Sequence, residues 1–245
     1  MNPSKKVKYI SNWIKSYVEQ MPTKAQSLVI GISGGIDYSV SSTLSAMTGL
    51  RTIVLSMPIK QKENQHDLSL KHQKWLVEKF NNVEAHTISL DKLFESFSST
   101  LKKFDNEHGF ANSRARLRMT TLYQVAAANK GIVVGTGNKV EDFGVGFYTK
   151  YGDGGVDISP IADCNKTEVW ELGKELGILK EIIDAPPTDG LWDDGRTDEG
   201  QLGFKYEDLE DAMINPDSPH KTEYEKIRKL YLHIMESIPV CKIPN

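Results

Sequence analysis

Leu28-Val29-Ile30-Gly31-Ile32-Ser33-Gly34-Gly35-Ile36-Asp37-Tyr38-Ser39-Val40 joins an apolar run to two glycines and then to a segment of helical character. A short apolar run closed by a glycine turn reads as a strand buried on both faces. Glycines let backbone N–H groups approach an anion, and a helix start behind them adds the positive end of its dipole. The turn therefore reads as a phosphate cradle built from Gly31, Ile32, Ser33, Gly34, Gly35, Ile36 and Asp37. Ser33 offers a hydroxyl, and Asp37 stands where a carboxylate could hold magnesium against phosphates. No lysine follows the glycines, so the spacing is not that of the common P-loop.

Outward from this turn, short apolar runs alternate with amphipathic ones. Residues 28–32, 51–57, 84–90 and 131–135 predict strands. Helices are expected from the cradle to about 47, over 67–80, over 91–104 with Asp91 as N-cap, over 112–129, 166–176 and 178–183. Before the first strand, Val7, Ile10, Trp13, Ile14, Tyr17 and Val18 share one helical face. Residues 60–66 read as a polar loop, and 137–160 as too polar and glycine-rich for core. The stretch 185–202, rich in Pro, Asp and Gly, is a candidate lid, and the tail from Tyr206 is two helices parted by Asn215-Pro216-Asp217. The alternation predicts an α/β fold: a parallel twisted sheet with helices on both faces, Rossmann-like, plus a helical tail. Ligands of such sheets sit beyond the strand C-terminal ends. The cradle follows the first strand and Thr136 to Glu141 follows the fourth, so both fall on that side.

Bulk properties bound the class. A length of 245 residues fits one α/β domain across the whole chain. A net charge of −3 gives no bulk attraction to nucleic acid. The two cysteines, Cys164 and Cys241, form no C-x-x-C pair, and no apolar run approaches the ~18 residues of a membrane span. A cytoplasmic protein without nucleic-acid or membrane partners is expected.

Four more blocks sharpen the reading. The cradle resembles the Ser-Gly-Gly-x-Asp-Ser loop of the ATP pyrophosphatases, with Tyr38 in place of the last Ser. The stretch Gly146-Phe147-Tyr148-Thr149-Lys150-Tyr151-Gly152-Asp153-Gly154-Gly155-Val156-Asp157-Ile158-Ser159-Pro160 resembles the signature of ammonia-dependent NAD synthetases. Ala115-Arg116-Leu117-Arg118-Met119 resembles their A-R-x-R-M helix, and Lys166 their lysine after the Asp-Ile-x-Pro turn. Ala185-Pro186-Pro187-Thr188 followed by Asp189-Gly190-Leu191-Trp192 resembles their A-P-[ST]-A-x-L-W loop. The resemblance spans nearly the whole chain. It implies a homodimer that converts deamido-NAD, ATP and ammonia to NAD, AMP and pyrophosphate, with no glutaminase domain. It implies that Gly31 to Tyr38, Thr136, Lys166 and Thr188 contact ATP and that Asp37 and Glu141 hold Mg2+. Lys166 and Asp37 would be catalytic, and Arg116, Lys150 and Asp157 would contact the dinucleotide.

Two departures stand against the pattern. Tyr38 loses a hydroxyl at Cβ, and Ser39, about 100° further round a helix, is a poor substitute. The family ends on a His-Lys pair and a basic tail, where this chain has Glu236-Ser237 and Ile238-Pro239-Val240-Cys241-Lys242. His220-Lys221 lies too early to be that pair. Two alternatives therefore remain: a related ATP pyrophosphatase amidating another carboxylate, and a catalytically weakened nucleotide-binding relative.

Overall fold

The computed structural model describes residues 1–60, 63–188, 191 and 196–235. In chain order it comprises α1 (Pro3–Gln20), β1 (Ser27–Gly31), α2 (Ile36–Met47), β2 (Thr52–Ser56), α3 (Glu63–Lys79) and β3 (Val83–Thr87). Then come α4 (Asp91–Thr100), a 3-10 turn (Lys102–Phe104), α5 (Glu107–Ala128), β4 (Gly131–Val133) and a π-helical turn (Lys139–Val145). The chain continues through α6 (Lys166–Leu176), α7 (Lys180–Ile183), α8 (Asp198–Leu202), α9 (Tyr206–Ile214) and α10 (Lys221–Met235).

All strand pairs are parallel, and the strands lie in the order β3-β2-β1-β4. From β1 the chain winds outward to β2 and β3, then returns through α5 to place β4 on the other side. The gap between β1 and β4 is therefore the topological switch point, where ligands of such sheets bind. Strand alternation divides the core. Leu28 and Ile30 face α1, α2 and α6 through Ile14, Val40 and Leu172. Val29 and Val133 face α4 and α5 through Phe94, Met119 and Leu122. A third apolar cluster joins Val140 and Val145 of the π-helical turn to Tyr206, Leu209 and Tyr224 of the tail.

The buried helix α2 is rich in hydroxyls, which bond its own carbonyls: Ser39 to Gly35 at 2.9 Å, Thr43 to Ser39 at 2.7 Å and Ser45 to Ser41 at 2.8 Å. Such back-bonding lets small polar residues pack where larger chains would hold the helices apart.

Several local expectations change. Leu90, not Asp91, is the N-cap of α4; Asp91 is its first helical residue, and its carboxylate accepts from Lys60 N at 2.7 Å. Helix α3 begins at Glu63, inside the expected polar loop, and α5 begins at Glu107, where Asn106 caps it through Gly109 N. On α1, Trp13 and Tyr17 pack on each other at the rim, half exposed, while Val7, Ile10, Ile14 and Val18 are buried. The glycine-rich stretch does enter the core, through Val140, Val145 and Ile158. The expected lid contains α8. Its residues 189, 190 and 192–195 lie outside the described residues, as do Glu236 to Lys242.

Candidate active site

The cradle forms as its sequence dictates. β1 ends at Gly31, Gly34 takes φ +90°, a region that L side chains rarely adopt, and α2 starts at Ile36. Ser33 Oγ accepts from Gly35 N at 3.4 Å, tightening the turn. A cavity lies over this turn, between the C-terminal ends of β1 and β4, and its wall includes Ser33, Asp37, Tyr38, Thr136, Glu141 and Thr188. With Gly31 and Ile32, eight of the sequence-expected site residues thus share one cavity wall.

Asp37 and Glu141 come from different strand ends and meet on one ammonium. Lys166 Nζ donates to Asp37 Oδ2 at 2.5 Å and to Glu141 Oε1 at 2.9 Å. Lys166 is only 1% exposed, so it sits beneath the cavity rather than in its wall. It is the first residue of α6, where a cation faces the positive end of the helix dipole. The two carboxylates offset that placement. Burial pushes Asp37 up; the attraction of Lys166 only partly reverses this, and Asp37 stays above the usual carboxylate range. At Glu141 burial pushes the same way, but Lys166 and the Tyr206 hydroxyl prevail and hold it below that range. Burial disfavours the Lys166 ammonium, yet Asp37, Glu141 and Asp198 hold it charged.

Asn138, fully buried, joins the two acids. Its Nδ2 donates to Asp37 Oδ1 at 3.2 Å, while its Oδ1 caps the π-helical turn by accepting from Val140 N and Glu141 N, both at 3.1 Å. The turn is the unusual i→i+5 kind, and it ends on Gly146 at φ +73°. Asn138 is absent from the residues expected of the site; its sequence signal is an Asn just before the backbone donors that it caps.

Tyr38 turns into the cavity. It shares a side-chain hydrogen bond with Thr136 and faces Asp153 and Arg118. Burial, then Asp153, raises its phenol, which stays protonated. Arg118 Nε donates to Met57 O at 3.1 Å, and Asp153 accepts from Thr149 N at 3.0 Å. Asp142 also lines the cavity, and burial together with Glu141 pushes its carboxyl up to about 8. Thr188 Oγ1 donates to Arg196 O at 3.0 Å.

The three residues expected to contact a dinucleotide lie away from this wall. Asp157 is engaged within the chain: its carboxylate accepts from Val133 N at 2.7 Å and from the Tyr123 hydroxyl at 3.0 Å. Arg116 Nε donates to the Lys150 carbonyl at 3.1 Å, and the Lys150 ammonium lies 5.8 Å from the Tyr151 ring. The glycines of this segment are spacing residues. A Cβ on Gly154 would lie 2.4 Å from Tyr148 Cδ2, and one on Gly152 2.8 Å from Ala115 Cβ.

A parallel sheet thus carries a Ser-Gly-Gly cradle and two acids that converge on a lysine. The NAD synthase family profile matches residues 6–240. The chain belongs to the NAD synthase family. It is therefore an enzyme, a ligase of NAD biosynthesis. The NH(3)-dependent NAD(+) synthetase of Carboxydothermus hydrogenoformans is 34% identical, over 87% of this chain and 86% of that one. Among solved structures, the NMN synthetase of Francisella tularensis superposes with a TM-score of 0.89 at 31% identity, covering 99% of this chain and 100% of that one. The NH3-dependent NAD synthetase of Campylobacter jejuni, at 22% identity and a TM-score of 0.79 over 99% of this chain and 100% of that one, shares the fold.

The donor set fits magnesium. Asp37 and Glu141 offer hard oxygen donors that already converge on one cation, the Lys166 ammonium. Among the described residues no group of three or more His, Cys, Asp and Glu is arranged to hold a metal unaided. A pair of carboxylates suits an ion that keeps several waters and shares phosphate oxygens. No described helix is long and apolar enough to cross a membrane.

Proposed function

We propose that this chain amidates deamido-NAD with ammonia, using ATP and releasing NAD, AMP and pyrophosphate. The observation that carries the reading is the convergence of Asp37 and Glu141 on Lys166 at the floor of the glycine cradle, in a chain of this family. A carboxylate is a poor acyl donor. Attack of the nicotinate carboxylate oxygen on the α-phosphorus of ATP breaks the bond to the bridging oxygen of the β-phosphate. Pyrophosphate leaves with that electron pair. Ammonia then attacks the carbonyl carbon of the acyl adenylate, AMP leaves with the C–O pair, and the surplus proton passes to solvent.

The chain's own part is to bind, orient and neutralise. Backbone N–H groups from Gly31 to Tyr38 and the start of α2 cradle the phosphates. Thr136 and Thr188 offer hydroxyls to ATP, and Lys166 supplies positive charge where negative charge builds on the leaving phosphates. Magnesium, held by Asp37 and Glu141, would neutralise charge on the triphosphate. Arg116 and Lys150 offer cationic contacts to the dinucleotide. Asp157 would act beside them while pinning β4. The reading includes a homodimer working in a reducing cytoplasm.

The test is incubation with ATP, Mg2+, ammonium and deamido-NAD, with wild type and Tyr38→Ser side by side. NAD and AMP in equal amounts are expected. No AMP above an Asp37→Ala control would overturn the proposal. A second reading takes the acid of the mononucleotide, nicotinate mononucleotide, as substrate. It is favoured by the higher identity and TM-score of the Francisella NMN synthetase and by Tyr38, a bulky ring inside the cradle. NMN formed from that acid, with no NAD from deamido-NAD, decides for it.

A further inference from the structure

Tyr206 comes from α9, in the tail, yet it reaches the floor of the site. It is among the largest fully buried side chains, 0% exposed, and its ring meets Trp170 edge-on at 5.9 Å. Packing alone would be served by phenylalanine. The hydroxyl does something else: it donates to Glu141 Oε1 at 2.6 Å, the same oxygen that accepts from Lys166. A second contact, at 3.4 Å, runs to Asp198 Oδ2. The ring face also lies 4.9 Å from the Lys166 ammonium. One side chain therefore touches both the acid and the cation of the site.

We propose that Tyr206 is a positioning residue that holds Glu141 turned toward Asp37, so that the two carboxylates form one divalent-cation site. The inference rests on the assignment of Asp37 and Glu141 as metal ligands. A glutamate has three rotatable bonds, and two convergent donors on one oxygen fix its head where one would leave it to pivot. Neighbours that orient a ligating carboxylate in this way change metal affinity by about ten- to a hundred-fold when removed. The phenol donates here, because the carboxylate oxygen it meets offers only lone pairs. It is a hydrogen-bond post, not an acid or base.

Tyr206→Phe keeps the ring, its contact with Trp170 and its face to Lys166, and removes only the donor. Mn2+ binding is followed by the loss of its free-ion electron paramagnetic resonance signal, with ATP present, in wild type, Tyr206→Phe, Glu141→Gln and the double variant. The expected result is about a tenfold rise in half-saturating Mn2+ for Tyr206→Phe, with metal-free ATP binding and melting temperature close to wild type. In the Glu141→Gln background the same change should have no further effect on Mn2+. An unchanged Mn2+ affinity in Tyr206→Phe overturns the positioning role, as does an equal loss in both backgrounds, which would mark a general packing defect. An unchanged affinity in Glu141→Gln instead overturns the ligand assignment beneath it. If Tyr206→Phe melts far below wild type, the cycle still decides, because a folding loss that is independent of Glu141 appears in both backgrounds.

Discussion

Lys166→Met removes the charge on which the site depends while keeping most of the side-chain length. Lys166 is 1% exposed, and its ammonium is shared by Asp37 at 2.5 Å and Glu141 at 2.9 Å. Breaking a buried ion pair by deleting one partner costs about 3–5 kcal/mol, because the other charge is left uncompensated. At about 2–4 °C per kcal/mol for a chain of this size, the melting temperature should fall by about 6–20 °C at neutral pH. The sign of the pH dependence is fixed by what remains. Without the ammonium, burial and mutual repulsion hold both carboxylates above their unfolded values, so the folded state binds more protons. The variant's deficit against wild type should then narrow as pH falls from about 8 to about 5, every other titrating group being common to both. Added Mg2+ should narrow it at neutral pH too, by supplying another cation to the pair. The assay is thermal melting by circular dichroism across that range, with and without Mg2+. A wild-type melting temperature, or a deficit that stays constant with pH, would refute the argument that Lys166 is the compensating charge.

Three further perturbations test neighbouring claims. His72 is fully buried, bonds Ser42 Oγ at 3.0 Å, and burial lowers it from 6.5 to about 4. The unfolded chain takes up that proton first, so stability is lost as pH falls from 6.5 toward 4, by about 1.4 kcal/mol per pH unit at the steepest. His72→Gln should flatten this limb of a urea-unfolding series, and an unchanged slope would show that another group titrates. Gly146 has φ +73°, and a Cβ there would lie 2.8 Å from Tyr231 Cβ of α10. Gly146→Ala should lower stability by about 2–4 kcal/mol in urea, combining left-handed strain with overpacking, and a value below about 1 would sink the steric account. Asp157→Ala strands Val133 N and the Tyr123 hydroxyl and should lower stability by about 1–3 kcal/mol. A variant with wild-type stability and only a raised KM for the dinucleotide would return Asp157 to a purely substrate-facing role.

What the sequence made legible follows from the range of the forces involved. Strand and helix alternation is local, and the predicted sheet, its helical layers and α6 at residues 166–176 all stand in the structure. So does the meeting of Ser33, Asp37, Thr136, Glu141 and Thr188 around one cavity, because parallel α/β topology sends every strand end to the same side. What failed locally was governed by contacts from outside the window. Asp91 is a favoured N-cap residue, but Lys60 N, a distant donor, occupies its carboxylate inside the first turn. Val140 and Val145 sit among glycines and acids, so they read as loop; tail residues Leu209 and Tyr224 turn them into core. Asp157 reads as a substrate contact from its place inside a recognisable motif, and no local pattern reveals that it also anchors the β4 amide of Val133.

The tail was legible as two helices and illegible as part of the site, and the reason lies in how its charges are arranged. Lys166 opens α6, where the helix dipole disfavours a cation. A residue placed against a local rule implies a compensating partner elsewhere, and here that partner is a pair of acids more than twenty positions upstream. The acids in turn need donors to lie in a buried place without being protonated. Asn138 serves Asp37 from the β4 side. Glu141 sits in the π-helical turn, whose third-cluster packing already binds it to α9 and α10, so its extra donor comes from there, as the Tyr206 hydroxyl. Tyr224 extends the same logic to the backbone, donating to the Gly144 carbonyl at 3.1 Å, and Arg228 donates to the Phe143 and Gly144 carbonyls at 2.6 and 3.0 Å. The helices after residue 205 thus hold the turn that carries Glu141 through its side chain, its carbonyls and its apolar face at once. A truncation before α9 should accordingly leave the four strands folded and the cradle formed, yet release Glu141 from Lys166, and loss of Mn2+ binding with retained strand signal is the pattern that would bear this out.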